Sequence, residues 1–335
     1  ENLLGASQSP PELEEGQVGQ KVDHHTWTTE FKPIYEKYKE AYQNSGKPEY
    51  SAIHGTAKVS SSDAKWSDDA STEQTLHYLD QVRDPDRPFY LHVNIEAPHP
   101  AYDAPEPWFS MYEPEEIEAF PVEPHSNPPL ALTAQQAVRS AGKTESERRR
   151  LQANYFACIS RVDEQIGKIL DQVASLGLEE NTVIVFLSDH GDYAGQYNLP
   201  EKWDTHFADC LLHVPCIIKA PGMPQGVTVE HLTEMTDIAP TVCELLGLKP
   251  WEGMQGYSLV PVLRDNKAVR EAVFAEGGHE KEQRARMIAP KQDVDKQATY
   301  EQYPDSMARA CCVRTNRHKL VFRETGDHEL YDLVT

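Results

Sequence analysis

The sequence lacks any long apolar run, and this absence excludes a membrane-spanning helix. No stretch approaches the roughly 18 consecutive apolar residues that such a helix needs. Positive charge is also scarce, since 32 Lys and Arg stand against 54 Asp and Glu, a formal net charge of −22. Nucleic-acid phosphates would be repelled by this excess, so we expect no nucleic-acid partner. An anionic ligand would instead need positive charge concentrated locally, by a metal ion or by a few Lys, Arg and His side chains.

Cysteine pairs with the spacing of a zinc site or a redox motif are also absent. The 6 cysteines form no Cys-x-x-Cys, which excludes the common zinc and thioredoxin-type motifs. Cys158 lies in an apolar stretch and is predicted to be a small core residue. The cysteine count does not fix a compartment, and cytoplasmic and exported locations both stay open.

The apolar residues that are present follow an α/β pattern. Those between positions 155 and 173 recur every three or four residues, which predicts one face of a long helix ending near Gly177. The stretches 182–187 and 214–219 are continuous apolar runs, typical of strands buried in a parallel sheet. We therefore predict an α/β fold with a mostly parallel sheet sandwiched by helices.

The last part of the chain has a different pattern, typical of a small antiparallel sheet. The stretches 310–315, 319–323 and 329–333 alternate around turn signals at Asn316 and Gly326. Further elements are predicted as helices at 72–82 and 237–246, a buried strand at 88–95, and irregular chain at 1–70, 103–143 and 277–306. The expected parts are an irregular excursion (1–71), a main α/β domain (72–265) and a C-terminal antiparallel subdomain (266–335).

Polar residues with chemical potential follow two of the predicted strands. Asp189 and His190 come directly after the run 182–187, where a carboxylate and an imidazole could hold a divalent cation. His99 stands between two prolines and could contact an anionic oxygen or protonate a leaving group. Lys202 follows Asp189 by thirteen residues and could bind an anion. Each also has an ordinary interpretation: a turn cap, packed or turn histidines, and a solvated lysine.

Taken in order, these segments resemble the sulfatase family of the alkaline-phosphatase superfamily. The resemblance covers about residues 72–335. It rests on the following segments: IEAPHPAYDAP, YFACISRVDEQIGKIL, VIVFLSDHGD, EKWDTHFADCLLHVPCIIKAPG, TDIAPTVCELLGL, GYSLVPVL and VRTNRHKLVFRETGDHELYDL.

The resemblance implies an alkaline-phosphatase-like fold and a role for each candidate residue. Asp189 and His190 would be ligands of a divalent cation, with calcium expected first and manganese or magnesium as alternatives. Lys202 and His99 would contact the sulfate or phosphate oxygens, and one of them would assist departure of the alcohol. His206 is a second candidate for the anion contact. The implied substrate is a small-molecule or carbohydrate sulfate ester, cleaved by a formylglycine-type nucleophile.

The family also uses an early strand with paired aspartates followed by Cys-x-Pro-x-Arg, and neither occurs in the 335 residues. We therefore expect the chain to be part of a longer protein and to turn over no substrate alone. Two alternatives stay open: a phosphodiester or phosphonate monoester hydrolase of the same superfamily, and a non-catalytic binding protein. The adjacent His24 and His25 could reach a site from the N-terminal region, although loop histidines are usually incidental.

Overall fold

The computed structural model describes residues 27–44, 57–58, 66–118, 120, 127–139, 144–287 and 294–334. Its helices, in chain order, are α1 (Lys32–Asn44), α2 (Trp66–His77), α3 (Leu130–Arg139), α4 (Glu145–Ser175), α5 (Asp209–Leu212), α6 (Ile238–Leu245), α7 (Val260–Asp265), α8 (Lys281–Met287) and α9 (Val294–Gln302). Its strands are β1 (Ala57–Lys58), β2 (Asp103–Ala104), β3 (Ile184–Leu187), β4 (Cys216–Lys219), β5 (Val273–Gly277), β6 (Ala310–Arg314), β7 (His318–Arg323) and β8 (Glu329–Asp332). None of the helices in these ranges has the length and apolar character needed to cross a membrane.

The chain divides into two compact units, and both are discontinuous in sequence. The first comprises Glu1–Tyr112 and Asn154–Gly177, and the second comprises Glu113–Ala153 and Leu178–Thr335. The helix α4 therefore contributes its first residues to the second unit and the remainder to the first. The three-part division expected from the sequence stays a prediction.

In the first unit, α1 lies inside the stretch 1–70 that was predicted to be irregular, and α2 begins inside it. The helix α1 follows a π-helical turn (Trp27–Phe31), and α2 continues into another such turn (Tyr78–Val82). The helix predicted at 72–82 therefore begins earlier, at residue 66. Thr72 lies inside this helix, and its hydroxyl donates to the Asp68 carbonyl 2.8 Å away.

The strand predicted at 88–95 is not formed within the described part of the chain. Its side chains alternate in exposure as strand residues do, and Tyr90 is largely exposed. Alternation reports only the local pattern, whereas a strand also needs a neighbouring segment to accept and donate its backbone hydrogen bonds. That neighbour could not be inferred from the local sequence.

The long helix predicted around 155–173 is confirmed as α4. It ends before Gly177, whose φ of 66° is the left-handed conformation that commonly follows a helix and favours glycine. The helix predicted at 237–246 is confirmed as α6, with Gly247 at a φ of 68°. Helices also occur inside the stretches predicted to be irregular, namely α3 within 103–143 and α8 and α9 within 277–306.

The two apolar runs of the second unit pair with each other, but not in the predicted direction. The strands β3 and β4 are antiparallel, with Ile184 opposite Lys219 and Leu187 opposite Cys216. The sequence predicted parallel strands here because a continuous apolar run indicates burial. Both parts of that prediction are wrong for this pair, because the strands are antiparallel and neither is buried, with Ile217 62% exposed. Parallel pairing is found between β1 and β2 of the first unit.

The C-terminal antiparallel sheet is confirmed and has one strand more than predicted. Its order is β5-β6-β7-β8, all neighbours antiparallel. One face packs Cys312 and Val321 against Phe207 in a buried cluster. The opposite face leaves Phe274 69% exposed and Leu330 72% exposed, so the sheet is buried on one side only.

Candidate metal and anion site

Asp189 and His190 lie at the carboxyl end of β3, where the strand gives way to a loop. The register holds this end in place, since the Ser188 amide donates to the Pro215 carbonyl just before β4, at 3.4 Å. The Asp189 side chain is 82% exposed. One of its oxygens accepts a hydrogen bond from the His190 amide at 2.9 Å. The carboxylate is thus anchored locally while most of its surface is accessible.

The His190 ring is oriented by a hydrogen bond at one of its two nitrogens. Its Nδ1 atom lies 2.8 Å from the Gly191 carbonyl oxygen, and a carbonyl can only accept, so Nδ1 carries the proton. The lone pair of the neutral ring is then on Nε2, which lies 3.6 Å from Asp189 Oδ2. An imidazole nitrogen oriented by a bond at its other nitrogen is the usual arrangement in metal sites. This donor pair fits a divalent cation.

The pair alone is only part of a coordination sphere. Calcium takes about six to eight oxygen ligands, and magnesium and manganese sites are usually octahedral. Within the described ranges there is no group of three or more His, Cys, Asp or Glu side chains arranged to hold a metal ion. Asp189 and His190 therefore supply two donors, and further ligands are needed to complete a site.

Gly191 allows the chain to pass closely over α5. Its amide donates to the Leu211 carbonyl at 2.8 Å. A Cβ atom at this position would lie 1.9 Å from the Cys210 carbonyl oxygen, far inside van der Waals contact. The loop after β3 is therefore tied to the chain near residue 210, and the absence of a side chain at Gly191 permits it.

The loop between His190 and Lys202 folds back on itself. The Tyr193 amide donates to the Glu201 carbonyl at 3.0 Å, and the Gly195 amide donates to the Leu199 carbonyl at 2.8 Å. The backbone bond from Tyr193 joins the third residue after His190 to the residue before Lys202. Four non-glycine residues of this loop have positive φ, namely Ala194, Tyr197, Asn198 and Glu201. Such strained conformations concentrate at functional sites.

Lys202 is partly buried and lies beside a buried ion pair. Its side chain is 24% exposed, and Nζ is 3.4 Å from Glu201 Oε1. The other carboxylate oxygen of Glu201 accepts from the Arg139 guanidinium, and both side chains of this pair are 1–2% exposed. Sequence reasoning identified Lys202 but missed Glu201 and Arg139. Arg139 and Glu201 are 62 positions apart in the sequence, so no local sequence pattern indicates that they pair.

His206, the second candidate for the anion contact, is a buried neutral ring. Its Nδ1 lies 2.9 Å from the Tyr193 hydroxyl. Burial lowers the pKa of His206 from its ordinary 6.5 to about 3, so the ring carries no charge near neutral pH. Arg323 and Arg139 act in the same direction. The environment is that of a packing residue and offers no positive charge to an anion.

His99 belongs to the first unit, in a segment held by a buried carboxylate. The amides of Glu96 and Ala97 donate to the two oxygens of Asp68 at 2.7 and 3.0 Å. Burial raises the pKa of Asp68, although these bonds and Arg161 oppose the effect. His99 Nδ1 lies 2.7 Å from the Pro100 carbonyl oxygen. Asp68 was missed because an Asp near a helix start usually interacts with the helix itself.

Two other features considered from the sequence give no additional site residue. Cys158 is buried, and its thiol lies 3.2 Å from the Asp103 carbonyl oxygen. It packs with Ala157 and Ala104, as predicted for a core cysteine. His24 and His25 lie outside the described residues.

The loop between His190 and Lys202 falls in a segment that matches a known protein family. The sequence profile of the family described as Sulfatase matches residues 15–248, which is more than half of the chain. The chain belongs to the sulfatase family. The matched residues include Asp189, His190 and Lys202, as well as His99 of the first unit.

Curated relatives from bacteria support this membership. An ulvan-active sulfatase of Formosa agariphila is 33% identical over 214 residues, covering 62% of this chain and 39% of that protein. A choline-sulfatase of Rhizobium meliloti is 30% identical over 256 residues, covering 71% of this chain and 47% of that protein. The chain thus spans less than half the length of these relatives.

Solved structures share the fold. A phosphonate monoester hydrolase from Silicibacter pomeroyi superposes with a TM-score of 0.69 at 22% identity, covering 90% of this chain and 62% of that structure. The corresponding enzyme of Agrobacterium radiobacter gives a TM-score of 0.64 at 25% identity, covering 86% and 57%. The chain therefore has the alkaline-phosphatase-like fold of the sulfatases, as the motif order indicated.

Proposed function

We propose that the natural-length protein is a metal-dependent sulfuric ester hydrolase. One observation carries the proposal: the Asp189 carboxylate and the lone-pair nitrogen of His190 lie 3.6 Å apart at the end of a strand, within the segment that matches the sulfatase family. Members compared above are named for hydrolysis of sulfate or phosphonate esters, and this pair has the chemistry that such hydrolysis requires.

Asp189 and His190 would hold the divalent cation together with further ligands. When bound, such a cation supplies charge neutralisation to the transferring group and to the attacking oxygen. Calcium is the cation first expected from the resemblance, with manganese and magnesium as alternatives. The His190 imidazole does not distinguish these three cations, because calcium, magnesium and manganese all prefer oxygen ligands.

Lys202 and His99 are the proposed contacts of the ester oxygens. The Lys202 ammonium is partly accessible, and a backbone hydrogen bond ties the residue before it to the loop that follows Asp189. It can therefore neutralise a sulfate oxygen. His99 would donate a proton to the departing alcohol. The attacking group would be a formylglycine-type hydroxyl from a segment beyond these residues, giving a covalent enzyme–sulfate ester from which inorganic sulfate then departs as the aldehyde re-forms.

The proposed substrate is a sulfate ester of a small alcohol or a carbohydrate. The support comes from relatives of about 30% identity that are named for ulvan and for choline sulfate. The acidic character of the chain, at −22, fits a mechanism in which a cation and few basic groups concentrate the positive charge.

Hydrolysis of a phosphonate monoester or phosphodiester is the second candidate. A specific observation favours it: the Agrobacterium radiobacter protein, which covers 86% of this chain at 25% identity, is named a phosphonate monoester hydrolase. A relative of 30% identity from Trinickia caryophylli is named a multifunctional protein of the alkaline phosphatase superfamily.

Parallel assays of the natural-length protein test the two candidates. Hydrolysis of 4-nitrophenyl sulfate and of 4-nitrophenyl phenylphosphonate would be measured after chelation and after return of Ca²⁺ or Mn²⁺. Faster metal-dependent release from the sulfate supports the first proposal, and the reverse supports the second. Metal binding without hydrolysis of either ester would contradict both and favour a binding protein.

A further inference from the structure

A buried ion pair adjoins the lysine that the proposed function assigns to anion binding. Arg139 and Glu201 are almost fully buried, and burying two charges costs free energy that their attraction only partly offsets. Stability alone therefore does not explain the pair well. Glu201 also has a φ of 60°, a conformation that costs a non-glycine residue about 1 kcal/mol or more. Two costly features coincide at the residue that precedes Lys202.

The backbone on both sides of Lys202 is fixed by other contacts. The Lys202 carbonyl accepts from Arg139 Nη1 at 3.5 Å. After it, the Trp203 ring is buried against Tyr300, and the Thr205 hydroxyl donates to the Ser306 carbonyl at 2.8 Å. The main freedom left at this position is in the lysine side chain, which has four rotatable bonds.

Glu201 acts on that remaining freedom. Neighbouring side chains in an extended segment point to opposite sides, and the left-handed conformation of Glu201 interrupts this alternation. Its Oε1 atom lies 3.4 Å from Lys202 Nζ, while the guanidinium of Arg139 occupies the other oxygen. The Glu201 carboxylate is thus fixed by the Arg139 guanidinium and in turn contacts the Lys202 ammonium.

We propose that Glu201, clamped by Arg139, is a positioning residue that fixes the Lys202 ammonium for anion binding. This inference rests on the proposed function, which gives Lys202 its role. The Lys202 ammonium is the positive charge that would meet the ester, and its contact with Glu201 fixes where that charge lies. Preorganised charge of this kind lowers the cost of reaching the transition state.

The test compares charge-matched double variants of the natural-length protein. Arg139→Gln with Glu201→Gln removes both buried charges, so no unpaired charge is left to unfold the protein. The matched control, Arg323→Gln with Glu329→Gln, removes another largely buried pair of the same unit. We expect kcat for sulfate-ester hydrolysis to fall about tenfold to a hundredfold in the first variant only, as for a misplaced catalytic group.

A second readout follows the lysine directly. The rate of Lys202 acetylation by acetic anhydride, measured by mass spectrometry relative to Lys249, should rise severalfold in the first variant and stay unchanged in the control. Unchanged acetylation and kcat would overturn the proposal, and so would a rise in kcat, which would show that Glu201 opposes the lysine charge. Full activity of Lys202→Ala, or an inactive wild type, would contradict the proposed function instead, and acetylation would still decide the positioning.

Discussion

A single hydrogen bond orients the ring of His190, which we propose as a metal ligand. The Gly191 carbonyl fixes the proton on Nδ1, so Nε2 presents its lone pair beside the Asp189 carboxylate. His206, sixteen positions later, is the opposite case. Its ring is buried and hydrogen-bonded to the Tyr193 hydroxyl, so it contacts the core and not solvent. Two histidines of one unit therefore differ in accessibility because of their surroundings alone.

Removing either proposed ligand should remove metal binding. We expect Asp189→Ala and His190→Ala each to weaken Mn²⁺ affinity of the natural-length protein by about a hundredfold or more, since loss of an outer partner alone costs tenfold to a hundredfold. Calorimetric titration would measure this, with His213→Ala as the control because His213 is an exposed histidine. Wild-type affinity in both variants would show that the assignment is wrong.

The buried His206 should make stability depend on pH. Its pKa is lowered on folding from 6.5 to about 3, so the unfolded state binds its proton more tightly. The contribution is fully present above pH 6.5 and decreases as the pH falls towards 3, by about 1.4 kcal/mol per pH unit.

Urea unfolding at a series of pH values would measure this loss. The variant His206→Gln keeps a hydrogen-bonding group for Tyr193 but cannot titrate, so its stability should fall less between pH 6.5 and 4. Equal slopes for variant and wild type would mean that other groups cause the acid sensitivity.

At the scale of elements, the functional loop depends on a close approach between backbones. Gly191 passes over the Cys210 carbonyl, and this contact ties the end of β3 to α5. The strand itself is short and has an antiparallel neighbour. The position of Asp189 and His190 is therefore set as much by the loop as by the sheet.

A side chain at Gly191 should separate these two elements. We expect Gly191→Ala to destabilise the protein by about 2 kcal/mol and to weaken metal binding, because the backbone must move away from Cys210. The control is Gly167→Ala, in the middle of α4 with open space around it, which should stabilise by about 0.5–1 kcal/mol. Urea titration distinguishes the two, and equal effects would contradict the contact.

Elements with a strong local pattern could be predicted, whereas pairings could not. The helix α4, the glycine after it and the C-terminal sheet each have periodicity or turn residues in their own segment. The direction of β3 and β4, the unpaired stretch 88–95 and the partners of Glu201 depend on residues far along the chain. Asp189, His190 and Lys202 could be proposed from the sequence because they follow a strand in a fixed order, whereas Arg139 and Asp68 lie in other elements.

For the whole molecule, the dominant property is the charge of −22. Like charges spread over one chain repel each other in the compact state more than in the unfolded chain. Dissolved salt screens this repulsion over about 10 Å at 0.1 M.

Salt should therefore stabilise the protein. We expect the free energy of unfolding to rise between about 0.01 and 0.3 M NaCl, measured by urea titration at pH 7.5. A matched series in KCl would separate screening from any specific effect of sodium. A fall with salt would show that the ion pairs, such as Arg270 with Glu234, outweigh the net repulsion.

The discontinuous units have a consequence for inheritance. The first unit needs residues up to 112 and again from 154 to 177, and the second begins at 113 and resumes at 178. A single crossover in the gene would therefore give each hybrid at least one unit assembled from two parents. A single crossover therefore cannot exchange one whole unit alone between two genes. We expect the two units to have diverged together, because helix α4 contributes residues to both and constrains changes in each.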